Sequence, residues 1–165
     1  MRAFGILALT LMLTLCVVSP AQAQLTEHDD YYLTKSHWGV GLQAGLLSGM
    51  GVSVRFHPHT RYGFELNAGA WKGGDNLLAS FGAEAQYDFD WSGRNRFYGF
   101  VGLGFYQNGK DDPDELKGPF RAGFGAGYDW DISKTVIFSA ELGVTWFTDG
   151  IILPLPQVGI SYLFN

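Results

Sequence analysis

Between Phe120 and Trp130 the chain reads FRAGFGAGYDW, and two kinds of residue alternate along it. Phe120, Ala122, Phe124, Ala126, Tyr128 and Trp130 share one parity, while Arg121, Gly123, Gly125, Gly127 and Asp129 share the other. A β-strand turns successive side chains to opposite faces, whereas a helix would mix these two sets on every face. This period of two constrains the fold more than any other feature of the chain.

The same alternation recurs in seven other segments. HWGVGLQAGL sets Trp38, Val40, Leu42 and Ala44 against Gly39, Gly41, Gln43 and Gly45, and GVSVRF sets Val52, Val54 and Phe56 against Gly51, Ser53 and Arg55. YGFELNAGA opposes Tyr62, Phe64, Leu66 and Ala68 to Gly63, Glu65, Asn67 and Gly69. FGAEAQYDFDW opposes Phe81, Ala83, Ala85, Tyr87 and Phe89 to Gly82, Glu84, Gln86 and Asp88. The fifth segment, FYGFVGLGFY, is less clean, because Tyr98 and Phe100 share a parity with Gly102 and Gly104; Val101, Leu103 and Phe105 are read as its apolar face. VIFSAELGVTW and QVGISYLF complete the set, with FRAGFGAGYDW the sixth of eight. Gly, Pro, Asn, Asp and Ser cluster between the segments and mark turns.

The connections carry a rhythm of their own. HPHT (57–60), SGRN (92–95) and DISK (131–134) are short. WKGGDNLL (71–78), QNGKDDPDELKG (107–118) and FTDGIILPLP (147–156) are longer, and only LSGM (47–50) among that second set is short. Membrane β-barrels of bacteria show this asymmetry, with tight turns on one side and longer loops on the other. An even number of strands also returns both termini to one side. The expected fold is therefore all-β, an eight-stranded antiparallel up-and-down transmembrane β-barrel. Pro154 and Pro156 cannot donate to a ladder, so the last strand is expected to begin after them.

Alternation alone does not say which face points outward. A soluble lipocalin-type barrel would hide the apolar parity around a ligand, and a membrane barrel would turn it to lipid. The apolar parity ends in rings, and Trp38, Tyr62, Trp91, Trp130, Trp146, Tyr162 and Phe164 are read as girdles flanking an aliphatic band. The other parity then lines a lumen that side chains just fill at eight strands. Its glycines make room for a few long polar residues, Arg55, Glu65, Glu84, Arg121 and Glu141, which are expected to form an ion-pair network. With the turns at 57–60 and 131–134 as centres, Arg55 and Glu65, and likewise Arg121 and Glu141, are expected as diagonal neighbours.

The ends and the composition bound the rest. Residues 1–23 run from Arg2 through an apolar stretch to Ala21-Gln22-Ala23, the order of a cleaved signal peptide, and the run is short for a membrane helix. Residues 24–36 are expected as a polar lead-in and 37–165 as the barrel domain. The only cysteine, Cys16, falls in the leader, which excludes a structural disulfide from the barrel. With 11 basic and 16 acidic side chains the chain lacks the basic surface of a nucleic-acid partner.

These residues resemble the small OmpA/OmpX-type eight-stranded outer-membrane barrels. FYGFVGLGFY (97–106) is similar to that family's fifth strand and FRAGFGAGYDW to its sixth. The closing QVGISYLF is similar to the family's carboxyl-terminal assembly signal, carried here by Gln157, Gly159, Tyr162 and Phe164; Asn165 departs from the usual aromatic end. A second departure is the short first connection, LSGM. The resemblance implies the outer membrane of a Gram-negative bacterium. It also implies contact with outer-membrane lipid and lipopolysaccharide, handling by the outer-membrane assembly machinery, and a role exerted through extracellular loops toward an unidentified ligand.

Chemistry is sparse. Lipid A-modifying barrels need a nucleophile with its base in hydrogen-bond reach near the outer leaflet, and His28, His37, His57 and His59 all fall by parity at the opposite end. The pair in HPH (57–59), two residues apart in a tight turn with no carboxylate or Cys in the motif itself, is a weak signal for a metal site. GFGAG continues as a strand, so it is no nucleotide loop. Asp111, Asp112, Asp114 and Glu115 lack calcium-loop spacing and read as a solvated acidic loop. No catalytic residue, metal or cofactor is expected. The expected role is structural or surface-interacting, with a lipid A-modifying enzyme and a soluble lipocalin-like carrier as the alternatives.

Overall fold

The computed structural model describes residues 35–73, 76–93, 95–108 and 120–164. Its strands are β1 (His37–Gly45), β2 (Met50–His57), β3 (Tyr62–Gly73), β4 (Asn76–Ser92), β5 (Asn95–Asn108), β6 (Phe120–Ser133), β7 (Val136–Phe147) and β8 (Ile152–Phe164). Each runs antiparallel to the next. β8 returns to β1 from Trp38↔Phe164 to Gly45↔Gln157 and closes the barrel. Closure pairs the backbone groups that a sheet edge would leave open, the condition for strands to stand in hydrocarbon. Among the described residues no helix is long and apolar enough to cross a membrane, and strands make the crossing instead.

Burial is inverted relative to a protein that folds in water. Phe124, Leu142 and Ile160 point outward and are 64%, 50% and 49% exposed, whereas Glu65, Asn67, Asp88 and Gln157 are at most 1% exposed inside. A continuous belt of outward Val, Leu, Ile and Phe would be a large hydrophobic cost in water, and it is matched only by lipid. The molecule is a transmembrane β-barrel with a polar interior.

Six of the seven girdle residues lie at one end, here called the turn end, where β1 begins and β8 finishes. Trp38, Tyr62, Trp130, Tyr162 and Phe164 are exposed there, and Trp91 falls near the 92–95 turn with its side chain outside those described. Trp38, Tyr62 and Trp130 belong to runs of touching rings, Trp38–Phe56 at 4.5 Å, Tyr62–Tyr87–Phe89–Phe97 at 5.3 to 5.7 Å, and Tyr128–Trp130–Phe138 at 4.7 and 5.7 Å. Trp146 alone of the seven marks the opposite, loop end. Exposed Trp71, Phe81, Phe105 and Phe120 join it there.

Three connections differ from expectation. Residues on both sides of 74–75 belong to strands, since β3 and β4 stay paired through Trp71↔Leu78 to Gly73↔Asn76. β8 starts at Ile152, before both prolines, and pairs Pro154 with Val144 and Pro156 with Leu142. β1 has ended by then, so the missing N–H groups face a flank with no strand to receive them, which is where Pro is tolerated. Finally, LSGM does not project as a loop. Leu47, Ser48 and Gly49 are buried, folded back into the lumen, with Gly49 and Gly51 at φ +116° and +139°, a conformation open to glycine.

Candidate functional site, the lumen network

The interior is organised in tiers from the turn end to the loop end. At the turn end, β2 carries Arg55 directly opposite Glu65 of β3. Arg55 Nε donates to Glu65 Oε2 at 2.5 Å and Nη1 to Asp129 Oδ2 at 3.1 Å. Arg96 joins the same carboxylate, donating from Nε to Asp129 Oδ2 at 2.7 Å, from Nη1 to Asp88 Oδ1 at 2.9 Å and from Nη2 to Gln86 Oε1. His57 Nε2 lies 2.7 Å from Asp88 Oδ2. Each guanidinium thus bridges carboxylates from two strands, and charge-assisted bonds of this kind are the strong ones.

Tyr98 links this tier to the next, with the Arg96 guanidinium 4.2 Å above its ring and its hydroxyl donating to Glu141 Oε1 at 2.6 Å. Glu141 and Glu84 are held without a direct cation. One amide nitrogen, Gln157 Nε2, donates to Glu84 Oε1 at 2.8 Å and to Glu141 Oε2 at 2.9 Å. Gln43 and Gln86 add longer donations of 3.3 Å to Glu141 and Glu84.

The third tier is the inserted turn. Ser48 donates from its backbone N and its Oγ to Gln157 Oε1, both at 3.0 Å, and Asn67 Nδ2 donates to Ser48 Oγ at 3.2 Å. Leu47 packs with Tyr98 and Phe100 in a small apolar cluster. Gly82 and Gly104 stand where a Cβ would strike the carbonyl oxygens of Ser48 and Leu47. Lumen glycines therefore do more than make room for long side chains. Two of them admit the backbone of the first turn.

Of the five residues proposed for the network from sequence, Arg55, Glu65, Glu84 and Glu141 meet in these tiers, with Arg55 and Glu65 directly opposed rather than diagonal. Arg121 stands apart. The register pairs Glu141 with Gly127 and Arg121 with Phe147, six residues further along β7. Its guanidinium stacks on Tyr106 at 3.8 Å and Phe147 at 4.9 Å, and Nη1 donates to the Leu46 carbonyl at 2.6 Å. Sequence reasoning left out Arg96, Asp88, Asp129 and Tyr98. Asp88 and Asp129 lay on the polar parity and were legible there, while Arg96 lay one residue before the start assigned to the fifth strand.

Among the described residues no group of three or more His, Cys, Asp or Glu could hold a metal. A small pocket opens at the turn end, lined by His37, Arg55, His57, Gln86, Arg96 and Asp129 among others. His37 faces His57 in register, and His59 lies in the adjoining turn, so all three described histidines sit at the end opposite Trp146 and Arg121. The acidic segment 110–116, His28 and Cys16 lie outside the described residues.

No protein-family model matches the sequence, and no curated protein matches it. Three solved structures are similar in fold. The outer membrane protein Ail of Yersinia pestis, determined in a phospholipid bilayer nanodisc, is 13% identical over 79% of this chain and 99% of its own, with a TM-score of 0.45. The de novo designed barrel TMB2.3, solved by solution NMR, is 18% identical over 79% and 94%, with a TM-score of 0.43. A second structure from de novo design of transmembrane β-barrels is 16% identical over 78% and 94%, with a TM-score of 0.39. At these scores the likenesses carry no weight for function, and the strand pairing and inverted burial alone establish the barrel.

Proposed function

We propose that this protein is a Gram-negative outer-membrane barrel of the small OmpA/OmpX kind, with a sealed lumen and a structural or surface-interacting role exerted from its loop end. The observation that carries the reading is the seal. The inserted turn and the bridged carboxylates fill the interior from Arg55 to Leu47, leaving a continuous column of packed and hydrogen-bonded groups where a pore would run. A scaffold of this rigidity suits presentation of loops rather than transport. Lipopolysaccharide is the natural neighbour of the loop end, and Gln157, Gly159, Tyr162 and Phe164 are proposed to serve the assembly machinery before they take their places in β8. A lipid A-modifying activity is disfavoured because the described histidines stand a membrane thickness from the loop end.

The test is twofold. Purified protein in planar bilayers is expected to give no discrete conductance steps, and regular steps of porin size would overturn the sealed reading. Incubation with lipid A is expected to leave its acyl chains intact, and acyl loss or transfer would establish the enzyme instead.

A further inference from the structure

The barrel wall is not closed to the same height all round. β8 pairs with β7 from Tyr162 to Ile152, but with β1 only from Phe164 to Gln157. Among the described residues, 152–156 therefore have a strand neighbour on one flank alone. The cause is the first turn. β1 ends at Gly45, and the chain enters the lumen at Leu47 instead of rising beside β8. A notch is left at the loop end, above the β1–β2 turn and beside the free flank of β8.

The chemistry of this notch differs from the wall below it. Lower on β8 the inward residues Gln157 and Ser161 are polar and buried. Within the notch, Leu153 and Leu155 take the inward parity, and Ile152, Pro154 and Pro156 the outward one. Ile152 is 63% and Leu153 44% exposed, so the strand is apolar and uncovered on both faces. Leu46, also exposed, continues the apolar surface across the floor. A second strand is a poor occupant, because Pro154 and Pro156 hold their β7 partners while presenting no N–H to the open flank. A hydrocarbon chain needs no such donors, and the bilayer around the barrel supplies one.

One cation stands beside the groove. Arg121 reaches across the mouth from β6 to the Leu46 carbonyl at 2.6 Å, at the notch floor. It is 2% exposed, its Nε has no hydrogen-bond partner, and among the described residues no carboxylate pairs with it. An apolar groove ending on a cation of this kind complements an anionic amphiphile, with a phosphate taking the planar guanidinium donors.

We propose that one anionic lipid of the surrounding leaflet docks laterally in this notch, an acyl chain lying against Leu153 and Leu155 and its phosphate at Arg121. The proposal rests on the membrane-spanning reading and adds a specific lipid site to it.

The experiment uses the full protein in phosphatidylcholine vesicles containing a trace of phosphatidylglycerol with a photoactivatable diazirine on its acyl chain. After irradiation, crosslinks are mapped by peptide mass spectrometry. The expected result is labelling concentrated on residues 151–156. It should fall ~10-fold in L153N and in R121Q, a change of about 1.4 kcal/mol in lipid affinity, and no such concentration should appear with diazirine phosphatidylcholine. Retained heat-modifiable mobility on gels certifies that each variant is folded, and the wild-type map decides the matter if one is not. Even labelling around the belt would overturn the notch while leaving the membrane reading intact. Absence of labelling anywhere would bring down both. A disulfide-linked dimer formed by the variant I152C in the same vesicles would show a second copy as the occupant and overturn the lipid.

Discussion

Arg55 and Glu65 stand directly opposite one another on β2 and β3, joined Nε to Oε2 at 2.5 Å with both residues shut away from water. The pair is anchored further because the same guanidinium reaches Asp129 on β6, so one residue ties three strands across the lumen. Removing Glu65 leaves a buried cation with half its compensation. E65A is expected to destabilise the barrel by ~3–5 kcal/mol, whereas replacing both partners with apolar residues should recover much of the loss. Urea unfolding of the two singles and the double, read as a thermodynamic cycle, measures the coupling.

How the pairing escaped the sequence is instructive, because the faces were legible and the register was not. Parity places Arg55, Glu65, Glu84 and Glu141 on one side of their strands, since a period of two admits only two faces. Which residues meet depends on where each hairpin turns. The β6–β7 hairpin closes at Ser133↔Val136 with a register shift between Asp131 and Ser133. Closure at 133 and 136, further along than a turn centred on 131–134, would alone set Arg121 against Thr148, and the shift brings it to Phe147, still far from Glu141. No local signal marks that shift. The inward fold of LSGM was hidden for a related reason. Its warrant lies on Gly82 and Gly104, which are far away in sequence and become its neighbours only when the barrel closes.

That dependence can be tested at the glycines. A Cβ on Gly104 would meet the Leu47 carbonyl oxygen, and one on Gly82 the Ser48 carbonyl oxygen, both backbone atoms with little freedom to yield. G82A and G104A are each expected to cost ~1–3 kcal/mol by overpacking. They should also raise protease sensitivity near 46–50 as the turn is expelled. G143A is the control. Its Cβ would lie 3.1 Å from Phe100 Cζ and 3.2 Å from the Phe124 carbonyl oxygen, tight contacts that a shift of a few tenths of an ångström relieves, and it should cost less than either.

Gln157 makes a different prediction, because its one amide serves both sides of the lumen. Its nitrogen donates to Glu84 and Glu141 and its oxygen accepts from Ser48. A leucine of similar size keeps the volume and removes all of these bonds, leaving two buried carboxyls and the inserted turn short of partners. Q157L is expected to lose about 2–4 kcal/mol, on the scale of ~1–3 kcal/mol for an orphaned buried polar group and more where it is charged. Q157E should be worse than Q157L, since it adds a third carboxyl to the same space. Unfolding midpoints in micelles order the three proteins, and Q157E more stable than Q157L would contradict the donor role.

The orientation of the whole barrel is tested at Phe124. This side chain projects outward at 64% exposure, flanked in register by Val101 and Val144, which places it in the middle of the apolar belt. An arginine there must hold its charge in hydrocarbon or drag water and headgroups toward itself. F124R is expected to cost ~2–4 kcal/mol when folding is measured into phospholipid vesicles, the scale for a basic residue at the midplane of a barrel's lipid face. In short-chain detergent, where the belt is thin and wet, the cost should shrink. A barrel standing in water with this face outward would tolerate the substitution to within about 0.5 kcal/mol, as exposed sites do. Equal stability of F124R and wild type in vesicles would therefore contradict the membrane-spanning arrangement at the middle of its apolar belt.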